Sequence, residues 1–323
     1  MSSAASISTK FFELGPVRRI DRWLHALPHP SSVVEVASDH VSAARWGQHR
    51  GHLESFAIEP LLAGAVMPSP VDANIPQPET VKSALRRVFG RVPHHAGPMA
   101  LLIPDQVVRV FILPFETLPR RTEEALPLLR WRLKKSVPFD VDETVVSWMR
   151  QQGRDGKLEV IAAVARQRII REYEQILESL GAPVSVVLSA TLACLPLLEE
   201  RGATLLVRLS GTTLTTVIVR GSNLCVYRSS EMSSNLAAPA MLEEIFPAIV
   251  YYQDTWGGSV DRACCAGFGS REDAFRRALS DELRVPVGAL ADAPEVTQLP
   301  SSAKDLVHQD LDALVGWMLN VGS

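Results

Sequence analysis

The residues of this chain best suited to bind a metal ion are its eight histidines and four cysteines. Six of the histidines form three close pairs, but none of these pairs has the helical spacing with a neighbouring carboxylate that a zinc site uses. The pairs are His25 with His29, His49 with His52, and His94 with His95. The cysteines have apolar neighbours and no metal-finger spacing, which predicts four buried, reduced thiols and no metal site. They are Cys194, Cys225, Cys264 and Cys265.

A second group of residues could bind a protein partner. Arginines and lysines crowd residues 120–135, and Trp131 lies among them. A charge run is most often a solvated surface, whereas an aromatic residue among arginines is the composition of a protein interface. Both interpretations stay open. The candidate partner-binding residues are Arg130, Trp131, Lys134 and Phe139.

The elements around this basic segment can be predicted from the spacing of apolar residues. Residues 107–112 alternate and are rich in β-branched side chains, which is typical of a strand. A helix then begins near Thr122, with glutamates in its first turn and lysines at its end. Its apolar face is Leu126, Leu129 and Leu133, and Pro138 prevents the helix from continuing.

Elsewhere the pattern predicts the alternating strands and helices of an α/β protein. One hairpin is predicted from a strand over residues 33–46 and a returning strand over 52–61. A second is predicted from a long strand over 205–219, which turns at Gly221 and returns over 223–228. Helices are predicted over residues 79–89, 169–180, 191–200, 241–253 and 306–319. The segments 33–90 and 205–253 both consist of a hairpin followed by a helix, which indicates an internal repeat.

Composition and charge argue against a nucleic-acid-binding, membrane-spanning or secreted protein. The 33 basic and 36 acidic residues nearly cancel, so no overall field favours nucleic acid or an anionic membrane. No run approaches the roughly 18 apolar residues that span a bilayer. Charged residues interrupt residues 1–30, so we expect a leader with one peripheral helix rather than a signal peptide, and a cytoplasmic location.

The order of elements between residues 101 and 139 is distinctive. A strand, the Leu118-Pro119 element, an acidic-to-basic helix and Val137-Pro138-Phe139 follow one another, and this order resembles the type IV pilus assembly protein PilM family, relatives of actin and FtsA. The resemblance implies an α/β, actin-like, FtsA/PilM-type two-domain fold with an inserted subdomain. By this resemblance, residues 1–30 are the leader, 31–112 completed by 184–202 the first actin-like subdomain, 113–183 the inserted subdomain, and 203–323 the second domain. The nucleotide-capping subdomain is largely missing between residues 231 and 241.

The resemblance also places a nucleotide cleft. Actin-like proteins hold ATP phosphates with glycine-rich hairpin turns and a metal with an aspartate, and the matching positions here form a degenerate site. They are Glu35, Ser38, Ser210, Gly211, Thr212, Gly267 and Gly269. Ala37 and Ser42 replace a glycine and a lysine of the family pattern, and Arg208 replaces the aspartate. The glycines at 267 and 269 are equally typical of an ordinary turn between a strand and a helix.

Function follows from the resemblance as an expectation. It implies a cytoplasmic adaptor, peripheral at the inner membrane, that binds the cytoplasmic tail of a PilN-like inner-membrane protein without hydrolysing ATP. Pilus motor ATPases, a platform protein and a second copy of the chain are further partners to consider, and nucleic acid is not expected. Two alternatives stay open. One is a nucleotide-binding actin-like ATPase, and the other is a GspL-like cytoplasmic component of a type II secretion platform, which the lack of an apolar span after Leu319 disfavours.

Overall fold

The computed structural model describes residues 29–47, 52–93, 97–199, 201–233, 237–308 and 310–320. The predicted leader helix therefore lies outside the described residues. The strands are β1 Ser32–Val36, β2 His40–Trp46, β3 Leu53–Pro60, β4 Met99–Ile103, β5 Arg109–Phe115, β6 Thr144–Gln152, β7 Leu158–Arg166, β8 Val184–Ser189, β9 Ala203–Ser210, β10 Thr213–Arg220, β11 Asn223–Glu231, β12 Arg262–Ala266 and β13 Val287–Ala289. The helices are α1 Pro78–Arg91, α2 Thr122–Leu133, α3 Gln167–Glu178, α4 Ala190–Cys194, α5 Ala238–Trp256, α6 Glu272–Leu283, α7 Pro294–Thr297, α8 Ser301–Val307 and α9 Asp312–Asn320.

Two five-stranded sheets share one topology. The first has the order β3-β2-β1-β4-β8 and the second the order β11-β10-β9-β12-β13. In each, three antiparallel strands are followed by two parallel ones, with Val34 opposite Leu101 in the first sheet and Leu205 opposite Ala263 in the second. The internal repeat predicted from the sequence is therefore confirmed.

Both long strands predicted from the sequence are in fact hairpins. The strand expected over residues 33–46 is β1 and β2, joined where the amide of Ala37 donates to the carbonyl of His40 at 3.0 Å. The strand expected over 205–219 is β9 and β10, joined at Gly211, whose φ is +57°. Apolar alternation continues on both sides of each short polar turn, so the alternation alone could not mark the break.

Two predicted helices are also shorter than expected. The helix expected over 191–200 ends at Cys194 and tightens into a 3₁₀ turn, Leu195–Leu197, because Pro196 has no amide hydrogen to donate. The helix expected over 306–319 is two helices, α8 and α9, and Asp310 between them has a φ of +59°. The second helix begins at Asp312, and this break places the Asp312 carboxylate in the cleft described below.

A small three-stranded sheet, β5-β7-β6, stands beside the two large ones. As predicted, α2 buries an apolar face that includes Leu129 and Leu133, while Leu126 is half-buried. Phe111 and Phe139 pack in the same apolar cluster as Leu133. The first turn carries Glu123 and Glu124, but no side chain caps the helix N-terminus.

One apolar core joins the two large sheets. It contains Val33 of β1, Leu206 of β9 and Trp317 of α9, all fully buried. Helices α9 and α4 approach so closely that a Cβ on Gly316 would clash with the carbonyl of Ala193. The sheets are therefore held together by packing along the base of the cleft between them. Within the described part of the chain, no helix has the length and apolarity needed to cross a membrane.

Candidate functional site

A buried arginine occupies the cleft between the two large sheets. Arg208 lies near the end of β9 and is only 4% exposed. Three acidic residues, each 2% exposed, surround its guanidinium: Glu35 at the end of β1, Asp105 just after β4, and Asp312 at the start of α9. We call these four residues the Arg208 cluster. It joins both sheets and the last helix through charge.

Arg208 interacts most closely with Asp312. Its Nε donates to Oδ2 of Asp312 at 2.9 Å and its Nη2 donates to Oδ1 at 3.2 Å, so the two groups form a bidentate pair. Glu35 Oε1 lies 3.7 Å from Nη2, and Asp105 Oδ2 lies 4.0 Å from Nη1. One cation thus faces three carboxyl groups in a site closed to solvent.

Asp105 is held by neutral donors rather than by Arg208 alone. Its carboxylate accepts the amide of Thr191 at 3.0 Å and the hydroxyl of the same residue at 2.5 Å. The hydroxyls of Thr215 and Tyr227 each donate to it at 3.0 Å. The donors come from α4, β10 and β11, so this carboxylate connects the first sheet to the second.

Burial and pairing move the pKa values of Glu35 and Asp312 in opposite directions. Burial raises the pKa of Glu35, although His40 and Arg208 oppose the rise, and Glu35 Oε2 has no hydrogen-bond partner. Burial would also raise the pKa of Asp312, but the charge and hydrogen bonds of Arg208 outweigh it and the pKa is lowered. Asp312 also pulls the pKa of Arg208 well upward against the effect of burial. Asp312 and Arg208 are therefore the charged pair of this cluster.

The turns predicted to hold phosphate lie together but leave little room between them. Ser38, in the β1–β2 turn, lies so close to Gly211, in the β9–β10 turn, that a Cβ on Gly211 would clash with Oγ of Ser38. Ser210 ends β9, and Thr212 completes the second turn, where its carbonyl accepts the amide of Met232 at 2.7 Å. The Ser38 side chain therefore fills the space between the two hairpin turns at Gly211.

The third predicted loop is also closed by the chain itself. Gly267 has a φ of +79°, and a Cβ there would clash with the carbonyl of Leu209. Its amide donates to Oδ1 of Asp310 at 3.2 Å. Gly269, with a φ of +53°, begins the short turn before α6. The amide that would face a phosphate in such a loop is already bonded to a carboxylate.

These residues do not fit a magnesium-bound nucleotide. The carboxylates that could bind the metal already surround Arg208, whose positive charge repels a metal ion, and Asp310 places negative charge beside the third loop. In the part of the chain that the structure describes, no group of three or more His, Cys, Asp or Glu side chains is arranged to hold a metal ion.

The sequence pointed to Glu35 and Arg208 but missed Asp105 and Asp312. Asp312 lies 104 positions from the arginine that it pairs with, and no local spacing connects the two. Its one signal is an acidic residue directly before an apolar run, the start of a helix. Asp105 follows β4, whose sequence MALLI is wholly buried and lacks the alternation used to find strands.

The face of α2 presents a second candidate surface. Trp131 is 73% exposed and Leu128, one turn before it, is 43% exposed, so both side chains lie on the protein surface. Arg130 is partly covered, and its Nη2 donates to the carbonyl of Thr144 at 3.3 Å. Lys134 is exposed at the end of the helix. Phe139 is half-buried against Leu133, so it supports this face from beneath.

One of the four thiols contacts the Arg208 cluster, because Cys194 donates to Oδ2 of Asp312 at 3.0 Å. Cys194, Cys225 and Cys265 are buried, and burial raises the pKa of each. Cys264 is only half-buried, which corrects the expectation that all four are buried. Neighbouring residues on a strand point to opposite faces, and Cys264 lies on the less covered face of β12.

Comparison with known proteins identifies the fold. No protein-family model matches the sequence, and no curated protein matches it. Among solved structures, a chain of the PilM-PilN type IV pilus biogenesis complex superposes with a TM-score of 0.71 at 17% identity, covering 92% of this chain and 100% of that one.

Two further solved structures give weaker likenesses. A Bacteroides thetaiotaomicron protein with an actin-like ATPase fold has a TM-score of 0.48 at 10% identity and covers 87% of this chain and 94% of its own. The cytoplasmic domain of EpsL of the Vibrio cholerae type II secretion system has a TM-score of 0.44 at 12% identity and covers 72% and 80%. The resemblance to PilM seen in the sequence is thus confirmed at the level of the fold, and this chain has the actin-like α/β fold of PilM.

Proposed function

We propose that this protein is an adaptor of a type IV pilus assembly platform that does not hydrolyse ATP. It binds the cytoplasmic tail of a PilN-like inner-membrane protein and so lies on the cytoplasmic face of that membrane. Two observations support the proposal. The structure that the fold matches over 92% of this chain is from a PilM-PilN complex. The cleft that would hold nucleotide in an actin-like protein contains the Arg208 cluster instead.

The Arg208 cluster is the observation that carries the lack of ATP turnover. Phosphoryl transfer depends on a metal ion that neutralises the developing charge, and magnesium needs carboxylate or water oxygens that are free to bind it. In this protein the carboxylate oxygens of the cleft surround Arg208. Two from Asp312 accept its hydrogen bonds, and one each from Glu35 and Asp105 lie within 4.0 Å of its guanidinium. The cation that these carboxylates need is therefore supplied by the chain.

The exposed face of α2 is the surface we assign to the partner tail. Trp131 and Leu128 form an apolar patch one turn long, and Lys134 gives it a basic end. Tryptophan and arginine dominate measured hot spots because a large flat side chain buries much area at little conformational cost. A short tail with one or two apolar side chains would cover this patch, in the manner of a helix or strand laid against a groove.

The experiment is a binding titration of the purified protein with a fluorescein-labelled tail from a PilN-like protein of the same organism. Wild type should bind the tail, and Trp131→Ala should weaken binding by about 1 to 3 kcal/mol without changing the melting temperature. Tyr251→Ala is the matched control, since Tyr251 is a half-exposed aromatic residue on α5, 52% exposed. Absence of tail binding to the wild-type protein would refute the adaptor proposal. Equal losses in both variants would refute the assignment to α2.

A further inference from the structure

A groove lies between the small sheet and the second large sheet, and one of its lining residues, Tyr227, contacts the Arg208 cluster. We call it the β5–β11 groove. It has a volume of about 300 Å³ and is lined by residues 108–111 of β5 and the turn before it, by Ser136 and Pro138 after α2, and by residues 227–229 of β11. The volume is at the lower end of that of small-molecule and peptide sites.

Both long walls of the groove are sheet edges. β5 is the outer strand of the small sheet and β11 is the outer strand of the second sheet, and no other described strand pairs with the outer edge of either. Their Cα atoms approach within 8 Å, yet the two strands form no ladder. A further strand would need about 4.8 Å on each side, so it does not fit between the two edges at this point, and the groove is open to the side chains of a bound segment rather than to its backbone.

The side chains of the groove combine apolar surface with excess positive charge. Phe111, Pro138 and Tyr227 give it apolar walls. Arg228 donates to Glu244 at 3.1 Å, which uses part of its charge. Arg109 lines the same groove and makes neither an ion pair nor a side-chain hydrogen bond within the described ranges. A guanidinium held in a groove without a partner favours a carboxylate, whose two oxygens match its two donors.

We infer that the β5–β11 groove is a second binding site, which takes an extended segment of a partner protein carrying an aspartate or glutamate. The carboxylate would pair with Arg109, and an adjacent apolar side chain would pack on Phe111 and Pro138. Charge complementarity selects this occupant, because Lys134 and Lys135 follow α2 just before Ser136 and add positive charge near the groove. An adaptor with this site and the α2 face has one surface for each of two partner segments.

Tyr227 connects the groove to the cleft. Its ring lines the groove, while its hydroxyl donates to Oδ1 of Asp105 at 3.0 Å. Arg208 lies 4.0 Å from the other oxygen of the same carboxylate. One wall of the groove is thus anchored on the Arg208 cluster, which holds Tyr227 in position before any ligand arrives, and a preformed wall lowers the entropy cost of binding.

The test uses three fluorescein-labelled octapeptides that differ at one central position, glutamate, glutamine or lysine, between two leucines with serine elsewhere. Wild type should bind the glutamate peptide about tenfold more tightly than the glutamine peptide, as one charge-assisted pair provides. Arg109→Glu should reverse the preference toward the lysine peptide. Arg277→Glu is the control of equal charge change, because Arg277 lies on α6 and hydrogen-bonds within its own helix. It should keep the wild-type preference.

A second measurement keeps the inference testable if Arg109→Glu does not fold. The glutamate peptide with a photoreactive group replacing one leucine should crosslink wild-type protein at residues 108–111 or 227–229, as mapped by mass spectrometry. Equal affinity of wild type for the glutamate and glutamine peptides would overturn the inference. So would an unchanged preference in a folded Arg109→Glu variant, or crosslinks only on α2.

Discussion

Replacing Arg208 with methionine is the perturbation that examines the cleft most closely. Methionine keeps much of the length and apolar stem of arginine but removes its charge and donors. Asp312 then loses two hydrogen bonds, at 2.9 and 3.2 Å, and retains the thiol of Cys194 at 3.0 Å. Glu35, whose Oε2 has no hydrogen-bond partner among the described residues, loses the cation 3.7 Å from its Oε1 and keeps the interaction with His40. Asp105 keeps the donors from Thr191, Thr215 and Tyr227.

The size of the expected stability loss follows from leaving the buried carboxylate of Asp312 without its partner cation. Removing one partner of a buried ion pair costs about 3 to 5 kcal/mol of folding free energy. We expect Arg208→Met to lose that amount at pH 7.5, since Asp312 is stranded in a site closed to solvent. The control is Arg171→Met. Arg171 forms an ion pair with Glu174 at 3.0 Å, but its side chain is 48% exposed, and such surface pairs contribute about 0 to 1 kcal/mol.

The stability difference between wild type and Arg208→Met should also change with pH in a defined direction. In the wild type, the pKa of Asp312 is lowered by Arg208, so its stabilising contribution is present above the unfolded pKa and is lost as pH falls. Without Arg208, burial dominates and raises that pKa, so the ionised carboxylate destabilises the variant at neutral pH and this cost disappears in acid. The stability difference between wild type and Arg208→Met should therefore shrink from pH 7.5 toward pH values near the unfolded pKa of about 4.

The assay is urea unfolding followed by circular dichroism at several pH values, with a second variant that carries Arg208→Met and Asp312→Asn together. Removing the stranded carboxylate should recover part of the lost stability, because the buried group left behind is then neutral. A loss in Arg208→Met no larger than in Arg171→Met, with no pH dependence and no recovery in the double variant, would refute the reasoning.

Three further predictions concern single residues. Glu35→Gln should raise the melting temperature at neutral pH and have no such effect near pH 4. Burial raises the pKa of Glu35, and a carboxyl group with a raised pKa destabilises the folded protein at pH values above its pKa in the unfolded chain. A lower melting temperature of the variant at pH 7.5 would contradict this. Brief treatment of the native protein with a thiol reagent should label Cys264 before Cys194, Cys225 and Cys265, checked by peptide mass spectrometry, since only Cys264 is half-exposed. Gly267→Ala should destabilise the protein by about 1 to 3 kcal/mol in denaturant unfolding, because φ at this position is +79° and the new Cβ would meet the carbonyl of Leu209. The control is Gly90→Ala, inside α1, where no atom lies near the new Cβ. This variant should have unchanged or higher stability.

The sequence predicted best those elements that its local periodicity marks. Helices α2 and α3 have clear apolar faces and acidic-to-basic or glycine-stopped ends, and both lie within two residues of where they were expected. The apolar alternation did not show the short polar turn at residues 37–39, because a hairpin leaves the alternation unchanged on both sides, and only the family resemblance placed a turn there. The strands β4 and β13 were missed for other reasons: β4 is apolar throughout, and β13 has only three residues.

The candidate site was predictable only in part. Arg208 stood out because the family resemblance expects an aspartate there, and its effect on metal binding could be inferred from charge alone. The role of Arg208 in this protein depends on Asp312 and Asp105, which the fold brings to it from distant parts of the sequence. The β5–β11 groove is likewise formed by strands that lie far apart in sequence, so no motif indicates it.

The measurement that tests the account most directly is the affinity of the PilN-like tail for the wild-type protein with and without saturating magnesium-ATP, with phosphate release followed in the same samples. We predict that the tail binds with the same dissociation constant in both conditions and that phosphate release does not exceed the protein-free blank. A nucleotide-dependent affinity would contradict the account, since linkage requires that such a ligand bind this protein. Phosphate release that Glu35→Ala abolishes would contradict it as well.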